Sequence, residues 1–265
     1  SRGGHAANAA DGALLTWPDG LASVARGLAA RVPAARRLSG HALRVTESRR
    51  GVAILAAGAD GPLLIRARRA ICAMPLHVAA RIVPQLGDYG FDPERHLPAH
   101  APWLVANFLL DGFPREPADA PLAWDNVIHA SPGLGWVVAT HQLIRVARPA
   151  HTVFTAYRAL AERTPADARH WLAGADADEL FALAAVDLHT AYGKAELWRR
   201  LRAVEITVRG HGMATPTPGG LANPGLAALR EADGKLLFAH SDLSGYSVFE
   251  EAVWWGDRAA RLAGR

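Results

Sequence analysis

The chain has 265 residues, half of them hydrophobic, so it can build a sizeable core and wholesale disorder is excluded. The net charge is +4 with a pI near 9.7, but long basic runs and RNA-binding aromatic motifs are missing, so no nucleic-acid partner is expected. The single cysteine, Cys72, excludes an internal disulfide and favours a reducing, cytoplasmic location, and no segment is apolar enough over its length to span a bilayer.

The N-terminal part of the chain predicts a helix followed by short strands. Residues 16–32 predict a turn and then an amphipathic helix with Asp19 as its N-terminal cap. Three strand-like runs follow, separated by turns that contain glycine. They span residues 41–47, 51–57 and 62–67. Residues 70–75 then predict a buried strand ended by Pro75, and residues 76–83 a short helix.

The middle of the chain predicts an antiparallel sheet covered by helices. Residues 84–100 are rich in Pro, Asp and His and predict a long loop. Gly and Pro bound each of the next strand candidates, which is typical of an antiparallel meander. These candidates are residues 102–111, 123–130, 135–142 and 151–159. Helices are predicted over 175–192 and 194–203, a strand over 204–208, and an irregular Gly/Pro-rich loop over 209–225.

The C-terminal segment predicts a strand, a loop and a helix in direct succession. Residues 235–239 form the strand, and Ser247 with Glu250 makes a Ser-x-x-Glu capping box that predicts a helix start at residue 247 or 248. The predicted inward face of the helix contains Phe249, Ala252, Val253, Gly256, Ala260 and Ala263. Ligands of α/β proteins bind at such a corner, where the first helix amides are unpaired. Asp242 in the loop either accepts hydrogen bonds from ligand hydroxyls or is only a turn or cap residue.

Three segments together resemble a known family. They are "WPDGLASVARGLAARV" (17–32), "ARRAICAMP" (67–75) and "LLFAHSDLSGYSVFEEAVWWGDRAA" (236–260). The chain resembles the part of the flavin-containing amine oxidoreductases that lies beyond their N-terminal nucleotide-binding motif. The resemblance implies an FAD cofactor and hydride transfer to flavin from a C–N or C–C bond of a small-molecule substrate.

The resemblance also implies roles for particular residues. It assigns Ser241 and Asp242 to the ribityl or phosphate groups of FAD, and Val248 and Phe249 to the ring. Contacts with adenine are assigned to the backbone at Ala42 and Val45, and contacts with the flavin face to His211, Gly212 and Met213. The substrate-pocket candidates are Trp103, Asn107, His129 and Trp136, although core packing is an alternative for the two tryptophans.

The resemblance implies an α+β fold with two domains. Residues 14–83 and 209–265 would form the remainder of the FAD-binding domain, and residues 84–208 a substrate-binding domain. A Rossmann fingerprint, G-x-G-x-x-G between a strand and a helix, is missing. We therefore expect a C-terminal portion that is inactive alone and needs an N-terminal Rossmann segment on the same or another chain. The alternative is a non-catalytic binding or assembly subunit that does not hold FAD.

Other kinds of site have weaker support. His96 and His100 are four residues apart, but Pro98 between them breaks a helical face, so no metal site is predicted there. His129, His141 and His151 lie in or beside predicted strands, where scattered imidazoles are the simpler interpretation. The G-x-S-x-G elbow of a serine hydrolase is missing.

Overall fold

The computed structural model describes residue 17 and residues 20–116, 121–142 and 149–264, apart from the side chains of residues 141 and 142. Contacts between Cα atoms divide these residues into two compact units. The first unit comprises residues 31–99 and 214–264, and the second comprises residues 17–30 and 100–213. Helices and antiparallel sheets both occur, which confirms the predicted α+β fold.

The first unit begins with the predicted three-stranded meander. Its strands are β1 (Gly40–Ser48), β2 (Gly51–Gly58) and β3 (Gly61–Ala67), paired antiparallel in sequence order. Glycine is required at the first tight turn, because a Cβ at Gly51 would lie 2.4 Å from the Ala67 carbonyl oxygen. The strand-like runs and the glycine turns thus predicted these three strands to within one residue at each end.

A second, parallel sheet lies in the same unit. Strand β4 (Ala70–Cys72) pairs with β10 (Leu236–Phe238), which comes from the opposite end of the chain. Four helices belong to this unit: α2 (Leu76–Ile82), α3 (Pro93–His96), α8 (Pro224–Glu231) and α9 (Phe249–Ala263). Buried side chains from the two sheets and from α2, α8 and α9 share one core, which includes Val45, Cys72, Leu76, Leu229, Phe238 and Trp255.

The second unit is built on a five-stranded sheet. In spatial order its strands are β6 (Asp125–Asn126), β7 (Trp136–Val138), β8 (His151–Ala159), β5 (His100–Asp111) and β9 (Leu201–Ala214). The pairs β6–β7, β7–β8 and β5–β8 are antiparallel, as predicted. Of these strands, only β6, β7 and β8 form a meander, because β5 lies beside β8 rather than beside β6. The helices of this unit are α1 (Ala22–Ala30), α4 (Pro165–Gly174), α5 (Ala177–Ala184), α6 (Val186–Tyr192) and α7 (Lys194–Arg200).

The two faces of this sheet differ in their environment. Alternate residues of β5, among them Ala106, Phe108 and Leu110, are fully buried in a core that also includes side chains from α5, α6 and α7. The residues between them, such as Asn107 and Leu109, are only half buried and lie on the opposite face. The period of two along β5 therefore separates a packed face from an open one.

A buried carboxylate fixes the loop that leads into β7. The side chain of Asp187 on α6 accepts hydrogen bonds from the Gly135 backbone N–H at 2.7 Å and from the Ser131 hydroxyl. Gly133 packs so closely against this carboxylate that a Cβ there would lie 2.1 Å from an Asp187 oxygen. Because the loop is held at several points, the edge of the open sheet face has a defined position.

The structure differs from the predictions in several places. Residues 209–214, predicted as an irregular loop, continue strand β9. Helices α4 and α8 were not predicted, although Thr164 and Asn223 cap them and Pro165 and Pro224 occupy their first positions. The buried face of α9 consists of Trp255, Ala259 and Leu262, whereas Val253 is 44% exposed. The predicted face of α9 was therefore wrong, because the large indole of Trp255 takes the inward position.

Among the described residues, no helix combines the length and the apolar character needed to cross a membrane.

Candidate functional site

The predicted ligand corner of the first unit contains a fully buried carboxylate. Asp242 lies in the short 3₁₀ turn Ser241–Leu243 between β10 and α9. Its Oδ2 accepts a hydrogen bond from the backbone N–H of Leu76, the first residue of α2, at 2.9 Å. An ionised carboxylate satisfies an unpaired amide there and complements the positive end of the helix. Asp242 thus ties the closing loop to α2.

Neighbouring groups fix the same turn. The backbone N–H of Asp242 donates to Nδ1 of His240 at 3.1 Å, and the guanidinium of Arg230 donates to the Leu243 carbonyl at 2.7 Å. Ser241 is buried beside Asp242. The loop is therefore a rigid connection rather than an open chain of exposed polar groups.

The start of α9 differs from the predicted capping box. The helix begins at Phe249 with Val248 as N-cap, and no side chain caps it. The Ser247 hydroxyl instead accepts from the Ala214 backbone N–H at 2.8 Å, so the prediction of a Ser247–Glu250 box was wrong. Since no cap residue occupies them, the first amides of α9 remain the groups that this helix offers to a hydrogen-bond acceptor.

Two carboxylates modify the electrostatics of this helix end. Glu250 and Glu251 both lie in the first turn of α9. The Glu251 carboxylate accepts from the Ser244 hydroxyl at 2.5 Å, and that hydroxyl in turn accepts from the Trp255 indole N–H at 2.6 Å. Negative charge in a first turn stabilises the helix and reduces the attraction that its N-terminus exerts on an anion.

The remaining predicted cofactor residues lie on strands. Ala42 and Val45 are on β1, where the pairing register shifts between Ala42 and Arg44. The side chain of Val45 is buried in the core, so its backbone is the part of that residue left for any ligand contact. His211, Gly212 and Met213 are on β9 and belong to the second unit.

The open face of the second unit carries a hollow of about 720 Å³. Residues of β5, β7, β8 and β9, with Gly20 and Ala139 in the turn after β7, line it. The lining residues are Gly20, Asn107, Leu109, Val137, Ala139, Val153, Thr155, Tyr157, Ala203, Val204 and Glu205. Most of this wall is apolar, and a few polar groups interrupt it, as is typical of small-molecule sites.

The polar groups in the hollow belong to adjacent strands. Asn107 and Thr155 are paired across β5 and β8, and Val137 on β7 is paired with Thr155. The Thr155 hydroxyl donates to Oδ1 of Asn107 at 2.8 Å. Burial, together with the negative charge of Asp125, raises the pKa of the Tyr157 hydroxyl, which therefore stays protonated at neutral pH.

The predicted substrate residues are not brought together. Asn107 lines the hollow. Trp103 lies on the same strand and, by alternation, on the same face, but outside the lining. Trp136 is only 3% exposed and packs against Phe154 and Tyr192 in the core, which agrees with the alternative of core packing. His129 is exposed in the turn between β6 and β7 and does not line the hollow.

Sequence reasoning missed Thr155, Tyr157 and Glu205. A signal for the first two was present, since Val153, Thr155 and Tyr157 alternate along the correctly predicted strand 151–159. Assigning that alternation to the open face requires knowing which strand lies beside β8, and this information is absent from the local sequence.

Comparisons with known proteins give structural similarity alone. No protein-family model and no curated protein sequence matches. A putative protoporphyrinogen oxidase from Exiguobacterium sp. 255-15 superposes with a TM-score of 0.63 at 16% identity, over 93% of this chain and 52% of that one. Putrescine oxidase bound to putrescine superposes with a TM-score of 0.64 at 19% identity, over 93% and 53% of the two chains. A double mutant of putrescine oxidase redesigned for cofactor binding gives 0.64 at 18% identity.

The chain shares its α+β fold with a portion of each of these oxidases that makes up about half of its length. It spans 52–53% of the length of the structures it matches.

Proposed function

We propose that this chain is the C-terminal portion of an FAD-dependent oxidoreductase of the amine oxidase type. The complete protein would transfer a hydride from a C–N or C–C bond of a small substrate to flavin. The observation that carries the proposal is the superposition of 93% of the chain on two kinds of oxidase, together with the three family-like segments that occur in order in its sequence.

The small parallel sheet supports the need for an N-terminal Rossmann segment. Parallel sheets normally contain more strands than the β4–β10 pair, because both of their faces are covered in α/β proteins. Leu236, Leu237 and Phe238 of β10 are all buried, as in a central strand of such a sheet. A Rossmann segment, on the same or another chain, would extend this sheet and supply the missing pyrophosphate site.

The start of α9 fits a flavin better than the Asp242 carboxylate does. The first amides of α9 have no side-chain cap and can donate to the acceptor edge of an isoalloxazine ring, beside Val248 and Phe249. The Asp242 carboxylate is fully buried and is engaged by the α2 amide. We therefore assign Asp242 an indirect role, in which it holds the loop that presents Ser241 and the start of α9.

The other proposed roles follow from the family resemblance. Ala42 and Val45 would contact adenine through their backbone, and the β9 residues His211 to Met213 would contact the ring face. The flavin, when bound, supplies the hydride acceptor. The hollow that contains Asn107 would hold the substrate, and its apolar walls would exclude water from the reacting bond.

A spectrum of the complete gene product tests the proposal. Protein purified gently together with its upstream segment should show flavin absorbance in the visible range, and this chain alone should bind FAD weakly or not at all. Stoichiometric FAD binding by this chain alone would contradict the need for an N-terminal segment.

A second candidate is a non-catalytic binding or assembly subunit on the same scaffold. The observation that favours it is the fully buried Asp242, which is satisfied by the protein's own backbone. A complete protein without flavin absorbance after gentle purification would support this candidate against the first.

A further inference from the structure

The hollow on the open sheet face contains features that discriminate between classes of ligand. We propose that it selects molecules with an apolar body and an amine or alcohol head, and that it rejects carboxylates. This inference rests on the proposed function for its biological meaning, because it names the substrate class of that site. The binding selectivity itself can be measured independently of flavin.

The walls of the hollow define the ligand's body. Five of the lining residues have aliphatic side chains that are not part of the core on the packed face, and they come from β5, β7, β8, the turn after β7, and β9. They are Leu109, Val137, Ala139, Val153 and Ala203. Contact with such a surface favours apolar ligand atoms in proportion to the area removed from water.

The Asn107 amide defines one contact for the ligand's head. Because the Thr155 hydroxyl donates to its Oδ1 at 2.8 Å, the amide orientation is fixed and the NH₂ group remains available to a ligand. Among the described residues, none accepts a hydrogen bond from this nitrogen. An alcohol oxygen or an uncharged amine nitrogen is a suitable acceptor, and the protonated Tyr157 hydroxyl of the same hollow is a further donor.

Glu205 defines the charge that the hollow accepts. It is exposed on β9 and lines the hollow, and the described part of the chain gives it no ion-pair partner. Its carboxylate attracts an alkylammonium ion and repels an anionic head. The described lining residues contain no arginine, lysine or histidine that would offset this repulsion.

Three probes with the same apolar body test the proposal. The folded chain is titrated at low ionic strength and neutral pH with hexan-1-ol, n-hexylamine and hexanoate, and binding is followed by the NMR shifts of the β5 and β8 amides. We expect the alcohol and the amine to bind and hexanoate to bind about tenfold more weakly, since surface charges act strongly at low salt.

Variants assign the selectivity to particular side chains. Asn107→Leu keeps the side-chain size and removes the amide. Because one hydrogen bond is lost, the affinity for hexan-1-ol should fall about tenfold. Glu205→Gln should reduce the difference between the affinities for hexylamine and hexanoate. Thr155→Val should release the Asn107 amide and lower the preference for hexan-1-ol, whereas the matched control Thr190→Val, at an exposed position of α6, should change nothing.

Several results would overturn the inference. They are equal affinity for hexanoate and hexylamine in the unaltered chain, unchanged alcohol binding in folded Asn107→Leu, or shifts for none of the probes. Failure of the flavin proposal can be distinguished from failure of this inference. A complete protein without flavin absorbance can still discriminate between the alcohol, amine and carboxylate head groups of the probes. Conversely, a flavin-containing protein that prefers hexanoate would keep the proposed function and refute the substrate class.

Discussion

The indole of Trp103 lies directly against the backbone of Gly212, and a Cβ at Gly212 would come within 2.7 Å of the indole Cδ1. The two residues occupy β5 and β9, which are neighbours in the sheet of the second unit. This contact explains why glycine is needed in the middle of a long strand, where it otherwise weakens pairing. Trp103 is a predicted substrate residue and Gly212 a predicted cofactor residue, and the sequence alone did not indicate that they touch.

We expect Gly212→Ala to displace the indole of Trp103 and to cost about 1–3 kcal/mol in the free energy of unfolding, as overpacking does. Tryptophan fluorescence and urea unfolding would measure the two effects. Gly210→Ala is the matched control on the same strand, because its Cβ would meet only the Arg169 side chain, at 3.8 Å. Equal behaviour of the two variants would show that the Trp103 contact is unimportant.

We expect Asp242→Ala to lower flavin retention sharply in the complete protein, because the loop before α9 loses its attachment to α2. Loss of the cap at Leu76 should also destabilise the protein by about 1–2 kcal/mol. Flavin absorbance per protein and urea unfolding are the measurements. Asp257→Ala, which removes an exposed ion pair with Arg261 on α9, is the control. Flavin content equal to that of the unaltered protein would mean that the loop has only a structural role.

We expect the Cys72 thiol to be unreactive in the folded protein. Burial raises its pKa to about 11, so little thiolate exists at pH 8, and the surrounding core blocks access. A thiol-specific chromogenic reagent should react with it rapidly in denaturant and very slowly without denaturant. Fast labelling of the folded chain at pH 8 would contradict the buried position.

We expect Tyr89 to make stability fall at high pH. Burial, followed by its hydrogen bond to the Glu47 carboxylate, raises the pKa of its hydroxyl to about 12, from an ordinary value near 10. The stabilisation of the protonated form is therefore complete below pH 10 and is lost as pH rises from 10 towards 12. Urea unfolding at several pH values would show this loss, and Tyr89→Phe should reduce its slope. A Tyr89→Phe variant with an unchanged alkaline slope would refute the assignment.

Local patterns predicted the strands and most of the helices because they carry strong signals. The meander 40–67 has strand-like apolar runs and glycine turns, and the segment 151–159 was predicted with the observed bounds. The prediction for residues 209–214 was wrong because their glycines and His211 have low strand propensity. Pairing with β5 overrides that propensity. Helix α8 was not predicted because its proline was taken as a loop signal, although Pro224 occupies the first helical position.

The candidate site was less predictable, because it depends on contacts between distant segments. Asp242 was identified as important, but its partner Leu76 lies far away in the sequence and gives no local sign of the contact. The Ser247–Glu250 pattern matches a capping box, yet the Ala214 amide competes successfully for the serine hydroxyl. The inward face of α9 depends on where Trp255 finds room, which follows from the packed core and not from helical periodicity.

The pairing of β4 with β10 has a consequence for biosynthesis. Residues 70–72 leave the ribosome long before residues 236–238, so β4 cannot pair with β10 until translation has passed residue 238. Closing so large a loop is slow, because its entropy must be lost before the new contacts form. We therefore expect the parallel pair β4–β10 to form late in folding.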